Sequence, residues 1–314
     1  MELRQLKYLL AAVECGSLGK AAAQLGVATS ALSQQISRLE SELSTRILVR
    51  SASGVTPTEA GALFCQHATL ALRHLDSAVQ AAQGARLSGL VSLGLAPTTS
   101  SVLALPLIQA MKRRYPHIRL QLVEGMSGHL SAMLKSRQID LAILFNPETG
   151  FPIRDVMPLL DETLFLIGRS EVLQQAGIEP GTEQLSLEQV VALPLIQPSK
   201  GHGLRDSLDR AFANAGSSPN VQMEIDSLAV IMDVVSAGLG ATIQPGAALT
   251  RDATRKLAVI PIAMEEVRRS NLLVSLPDHE LSPAALALRA QLRKVVAKLV
   301  RDGRWLGAKL HESE

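Results

Sequence analysis

The chain is poor in aromatic side chains, almost without cysteine, and close to charge balance, and each shortage removes a class of function. Phe, Tyr and Trp make up 3% of its 314 residues, too few to hold single-stranded nucleic acid by stacking bases on successive rings. Two cysteines, Cys15 and Cys65, cannot staple a chain of this length, and both sit in apolar helical patterns that suit small core residues. The seven histidines are scattered and make no ligand spacing, so no metal is expected. No apolar run approaches the roughly 20 residues that span a bilayer. MELRQLKYLLAAVECG lacks the basic start, apolar core and small-residue cleavage site of a secretory signal. The expectation is a cytoplasmic protein that does not meet a membrane. GxxxxGK[ST], HExxH and GxSxG are absent, and GLGAT at 238–242 lacks dinucleotide-binding spacing. No catalytic residue and no cofactor is assigned.

What is present is uneven. The formal net charge is +2, and residues 1–90 hold 8 Lys+Arg against 6 Asp+Glu while the remainder holds 23 of each. The whole excess therefore lies near the start. So mild an excess would need two copies of the chain to gather enough phosphate contacts on a duplex.

The stretch SLGKAAAQLGVATSALSQQISRLESEL, Ser17 to Leu43, reads as two helices and a tight turn. Ser17 is placed as N-cap, Ala21, Ala22 and Leu25 give one apolar face, and Gly26 stands where a left-handed residue ends the helix. The next helix starts near Thr29 and carries Leu32, Ile36, Leu39 and Leu43 inward. Its opposite face shows Thr29, Ser30, Ser33, Gln34, Ser37 and Arg38, short polar groups suited to base edges and phosphates. Any small helical hairpin shares part of this pattern. Before it, Met1 to Gly16 forms a helix with Leu3, Leu6, Leu9, Leu10 and Val13 as the buried stripe. After it, STRILVRSASGVTPTEAG suggests two short strands around SASG, the wing of a winged helix. Arg46, Arg50 and Ser53 would meet phosphate or minor groove there, although solvated arginines would read the same. Thr56-Pro57-Thr58-Glu59 gives an N-cap at Thr56, Pro57 at N1 and a capping box closed by Glu59. The helix that follows, to about Arg86, is too long and too apolar for one small domain and suits a dimerising linker.

From Gly89 the pattern becomes strand-helix-strand. Gly89 to Leu95 is a strand, 96–101 a polar turn, Val102 to Tyr115 a helix; further strands and helices follow to Phe145, implying a parallel sheet with crossover helices. A second set begins near Glu162. Its last strand, Arg269 to Leu276, returns to the first set, and a helix from Pro283 to Val300 closes the chain. Such sheets bind ligands beyond the carboxyl ends of their strands. That places Thr98, Thr99, Ser100, Ser127 and Phe145 at the mouth of the first lobe, and His202 and Thr242 in the second. Hydroxyls and helix N–H groups favour a carboxylate-bearing guest, although Thr98 and Ser100 could equally just cap their helix. The basic end, Arg289 to Lys309, reads as a solvated face.

The chain resembles a LysR-type transcriptional regulator, on LKYLLAAVECGSLGKAAAQLGVATSALSQQISRLESEL, then ILVRSASGVTPTEAG, and later GLGATIQP. Within that family the resemblance is nearest to the nitrogen assimilation control branch. It implies an α/β fold class with an N-terminal winged helix-turn-helix (1–58), a dimerising linker helix (59–88), and a two-lobed effector domain of periplasmic-binding-protein type. The first effector subdomain would comprise 89–162 and 266–300, the second 163–265, with 301–314 as a tail. It further implies a homotetramer on an interrupted inverted repeat in promoter DNA, with RNA polymerase as a possible partner and a small coinducer in the cleft. By position, base and backbone readers fall on Thr29, Ser30, Ser33 and Gln34, the wing on Ser53, and effector positions on Thr98, Thr99, Ser100, Ser127, His202 and Thr242. The family commonly has Gln-Pro where this chain has Thr29-Ser30, which alters the expected operator preference because Gln pairs bidentately with adenine and Thr does not. Members of the nitrogen branch can act without a coinducer, which leaves an effector open. On residues alone, a small-molecule carrier and an α/β enzyme stay as alternatives; the Ser17–Leu43 stretch speaks against the first and the missing nucleophile-base set against the second.

Overall fold

Apolar residues spaced by three and four build the first helices. In the computed structural model, which describes residues 1–51, 54–82, 87–145, 155–249, 257–263 and 269–311, α1 (Leu3–Cys15) turns Leu6, Leu9 and Ala12 inward. Leu3, expected in that stripe, is 50% exposed. Gly16 ends α1 at φ 60, a left-handed backbone that costs glycine nothing. In α2 (Leu18–Leu25) the Ser17 hydroxyl accepts from Lys20 N–H at 3.4 Å. α3 (Thr29–Glu42) buries Leu32, Ile36 and Leu39 completely. These side chains share one core with Ile47, Val55, Cys65 and Ala68.

β1 (Leu48–Ser51) and β2 (Gly54–Pro57) pair antiparallel as the expected wing. Its tip, including Ser53, lies outside the described residues. The following helix, α4 (Glu59–Ala82), is not capped as its sequence suggests. Thr56 and Pro57 belong to β2, paired with Val49 and Leu48. Thr58 is the cap: its hydroxyl accepts from Gly61 N–H and donates to the Arg46 carbonyl, both at 2.9 Å. The hairpin ladder takes the first threonine, and the second serves the helix. Gly61 lies directly on the Ile47 backbone carbonyl, and a Cβ there would clash with it. The helix end expected near Arg86 lies outside the described residues. Leu63, Leu75 and Val79 on α4 stay exposed at 55%, 41% and 54%.

The chain divides into two compact units, Met1–Gly89 and Leu90–Glu314. The second contains two lobes. It opens with β3 (Gly89–Leu95), α5 (Pro97–Arg114), β4 (Ile118–Glu124), α6 (Ser127–Lys135), β5 (Leu141–Phe145) and β6 (Asp155–Glu162). α5 starts at Pro97, five residues before the expected Val102. Proline at N1 leaves no N–H to satisfy, so the residues read as a turn form its first coil. The second lobe holds β7 (Leu164–Gly168), α7 (Ser170–Gln175), α8 (Leu187–Val190), β8 (Leu195–Gln197), α9 (Gly203–Asn214), β9 (Val221–Glu224), α10 (Leu228–Ser236), β10 (Thr242–Pro245) and β11 (Ala258–Pro261). The chain then returns through β12 (Arg269–Ser275), α11 (Pro283–Arg301) and β13 (Ala308–Leu310).

The first lobe's sheet has the order β13-β6-β12-β5-β3-β4, and the second lobe's has β10-β7-β11, with β8 and β9 paired in parallel beside it. β3 and β5 run parallel, as expected, but β12 lies antiparallel to both β5 and β6. The first sheet is therefore mixed, because the strands that cross between lobes enter it from the opposite end. The segment 308–310, placed in a tail by sequence, adds an edge strand against β6.

Candidate functional site

Two sites emerge, one in each unit. In the first, the stripe that buries Leu32, Ile36 and Leu39 forces the other side of α3 outward. Thr29, Ser30, Gln34, Ser37 and Arg38 are exposed, and Ser33 is half-buried. Arg50 reaches across from β1: one guanidinium nitrogen donates to Ser33 Oγ at 2.8 Å and the other to Ser37 Oγ at 3.3 Å. The sequence placed the two serines on the outward helix face and Arg50 on the wing, and did not foresee their contact. Glu40 Oε1 accepts from Ile47 and Leu48 N–H at 2.9 and 3.1 Å, fastening the root of the wing to α3.

In the second unit a cavity of about 40 Å3 lies between the lobes, with room for roughly three water molecules. Thr98, Ser127, Phe145 and His202 line it, as expected. Thr99, Ser100 and Thr242 are not among its lining residues. Thr99 and Thr242 are fully buried, Thr99 donating to Asn271 Oδ1 at 3.4 Å and Thr242 accepting from Gln244 at 3.5 Å. An open groove of about 770 Å3 continues from the cavity past Ser127, Phe145, Leu204 and Arg269. The N-terminal residues of four helices, α5, α6, α9 and α10, reach the cavity through Pro97, Ser127, Gly203 and Leu228. The positive ends of their helix dipoles favour negative charge there.

The floor was missed by sequence. Arg269 is 7% exposed and stacks 3.4 Å from the centre of the Phe145 ring, a cation–π contact strengthened by burial. Both its terminal nitrogens donate to Thr98 Oγ1 at 3.1 Å, and one donates to Glu162 at 3.3 Å. Glu162 also accepts from Asn271 and from the Trp305 indole, each at 2.8 Å. Arg269 and Glu162 stand opposite each other where β12 begins and β6 ends. The buried pair thus occupies the crossing between lobes. Burial pulls the Arg269 pKa below its ordinary value, and Glu162 acts in the other direction.

His202 is the N-cap of α9, its Nδ1 accepting from Leu204 N–H at 3.3 Å. Burial and then the Arg269 charge hold its pKa below 6.5, opposed by Asp226 and Asp206. A neutral imidazole is what that acceptor role requires. Among the described residues no cluster of His, Cys, Asp or Glu could hold a metal ion, and no helix is long and apolar enough to cross a membrane.

Comparison with known families decides what these sites belong to. Residues 3–62 match the bacterial regulatory helix-turn-helix protein, lysR family, and residues 84–297 match the LysR substrate binding domain. The chain belongs to the LysR family. The nitrogen assimilation regulatory protein Nac of Escherichia coli (strain K12) is 32% identical over 315 residues, covering 97% of this chain and 98% of that protein. Nac of Klebsiella aerogenes is 35% identical over 253 residues, 79% of each. Among solved structures, a full-length OxyR point variant from Pseudomonas aeruginosa matches with a TM-score of 0.74 at 21% identity, over 100% of this chain and 99% of that one. At that identity the likeness concerns the fold. As a LysR-type protein, the chain is a DNA-binding transcriptional regulator with an effector-binding domain. The helix-turn-helix match spans α1 to the start of α4, and the substrate-binding match spans the cleft around Arg269.

Proposed function

We propose that this LysR-type regulator binds an interrupted inverted repeat as a dimer of dimers, with α3 in the major groove of each half-site. The single observation behind this is the outward stripe of α3, hydroxyls and an amide over an apolar face that is fully buried. Gln34 can pair with adenine, and Thr29, Ser30, Ser33 and Ser37 can bond base edges or phosphates. Arg38 would meet phosphate, and the wing contact expected of Ser53 from the sequence falls on a residue outside those described. Thr29-Ser30 in place of the family's Gln-Pro shifts the preferred operator. Leu63, Leu75 and Val79 on α4, unburied within one chain, would be covered in a dimer.

The cleft between the lobes is read as the seat of a small carboxylate-bearing organic anion. Four helix N-termini and Arg269 supply the attraction, and the cavity limits the buried part to a few heavy atoms. Thr98, Ser127, Phe145 and His202 would touch it; Thr99, Ser100 and Thr242 would support it from behind. Both cysteines lie before residue 90, so a thiol switch within the effector unit is excluded. The protein acts as a cytoplasmic regulator and not as an enzyme, meeting RNA polymerase at the promoter. A mobility-shift titration of Ser33→Ala and Gln34→Ala against the operator tests the reading face. Each should weaken binding about tenfold, at roughly 1–3 kcal/mol per lost base contact; unchanged affinity for both overturns it. A thermal-shift screen of short carboxylates tests the cleft, and stabilisation by none of them would remove the effector.

A further inference from the structure

We propose that Arg50 governs base discrimination through Ser33 and Ser37, as a positioning residue that fixes both hydroxyls as donors toward DNA. Its guanidinium lies along one stripe of α3. The two serines accept from it at 2.8 and 3.3 Å, and Glu40 Oε2 lies 4.0 Å from the same group. Ser33, Ser37 and Glu40 follow at spacings of four and three, so they share a helix face. Glu40 is itself bonded to the backbone of Ile47 and Leu48. A carboxylate therefore ties the root of the wing to α3, and a guanidinium ties its edge to the two serines.

The chemistry follows from which group can donate. A guanidinium carries donors and no acceptor. A serine hydroxyl that accepts from it keeps its own proton for the opposite side, and the adjacent positive charge weakens its remaining lone pair. Ser33 and Ser37 are thereby set to donate to guanine O6 and N7, adenine N7, thymine O4 or a phosphate oxygen. A serine free to rotate would serve equally as acceptor for the amino groups of cytosine or adenine. Arg50 turns two readers of either sense into readers of one. With Glu40 beside it, part of its charge is already met inside the protein, which lowers its value as a phosphate contact.

This rests on α3 being the reading face, and the test separates the two claims. Full-length wild type, Arg50→Met, Ser33→Ala/Ser37→Ala and the combined triple variant would each be put through random-pool selection and competition binding at several salt concentrations. Arg50→Met should flatten the preference at the base pairs that the double serine variant flattens, about tenfold each. It should leave the salt dependence unchanged and add nothing in the triple variant. An equal loss on every sequence, with the salt slope reduced by about one ion and repeated in the triple variant, would mark a phosphate contact and overturn the inference. If the double serine variant alone changes no preference, the reading of α3 fails and this inference falls with it. Should Arg50→Met not fold, Arg50→Lys carries the same comparison, because one ammonium reaches one serine and spares one position only.

Discussion

Replacing Glu162 by glutamine keeps the side chain's shape and removes its charge, and the cost can be worked from what surrounds it. Glu162 is 3% exposed and accepts from Arg269, Asn271 and Trp305. In Glu162→Gln one carboxylate oxygen becomes an amide NH2 that faces a donor, and the Arg269 guanidinium is left buried without its counter-charge. Removing one partner of a buried pair costs about 3–5 kcal/mol. For a unit of this size that is a fall in Tm of roughly 6–20 °C. Trp305 is the only tryptophan in the chain and bonds Glu162 itself, so its fluorescence follows the effector unit in a thermal or urea melt. The double variant Glu162→Gln/Arg269→Met removes both charges, keeps an amide oxygen for Asn271 or Trp305, and should recover part of the loss, because no guanidinium is left buried without its counter-charge. A Glu162→Gln melt within about 2 °C of wild type, well below the range expected for a unit of this size, would refute the reasoning. So would a double variant as unstable as the single one.

Further outcomes follow from other contacts. Gly61→Ala should destabilise the winged unit by about 1–3 kcal/mol, because its Cβ meets the Ile47 backbone carbonyl, which cannot swing aside; denaturant melts of wild type and variant check it. Burial pushes the Cys65 thiol from 9.0 up to about 11. Its folded pKa is raised, so its contribution is complete below pH 9 and is lost as pH climbs toward 11, by at most about 2–3 kcal/mol. The gap in urea midpoint between wild type and Cys65→Ala should narrow across that window, and a constant gap contradicts the burial. His202 has its folded pKa depressed below 6.5, so its contribution holds above pH 6.5 and falls away on acidification. His202→Asn should flatten the acid limb of the effector unit's stability profile, and an unchanged limb would place the titration elsewhere.

The helix-turn-helix was legible because its information is local. Leu32, Ile36 and Leu39 keep one face, and Gly16 and Gly26 carry the left-handed ends of two helices at φ 60 and 66. Where two local signals competed, tertiary pairing chose between them: Thr56 and Pro57 went to the wing ladder and Thr58 became the cap. β6 was not foreseen, since Pro158 breaks the strand pattern; it sits beside the register irregularity between Asn271 and Leu272 that lets the ladder accept it. In the cleft, the residues at strand ends could be placed, but whether each side chain points into the cavity could not. Thr98 faces Arg269, while the adjacent Thr99 turns into the core toward Asn271. Arg269 and Glu162 are 107 positions apart, and nothing near either one in the chain announces the other.

Random-pool DNA selection with wild-type protein and with the Ser33→Ala/Gln34→Ala double variant tests the central claim most directly. The wild type should enrich a two-armed motif, its arms centred a whole number of helical turns apart. In the double variant both arms should lose preference at the same positions while spacing is retained. An identical motif from both proteins, or no enriched motif from either, would contradict it.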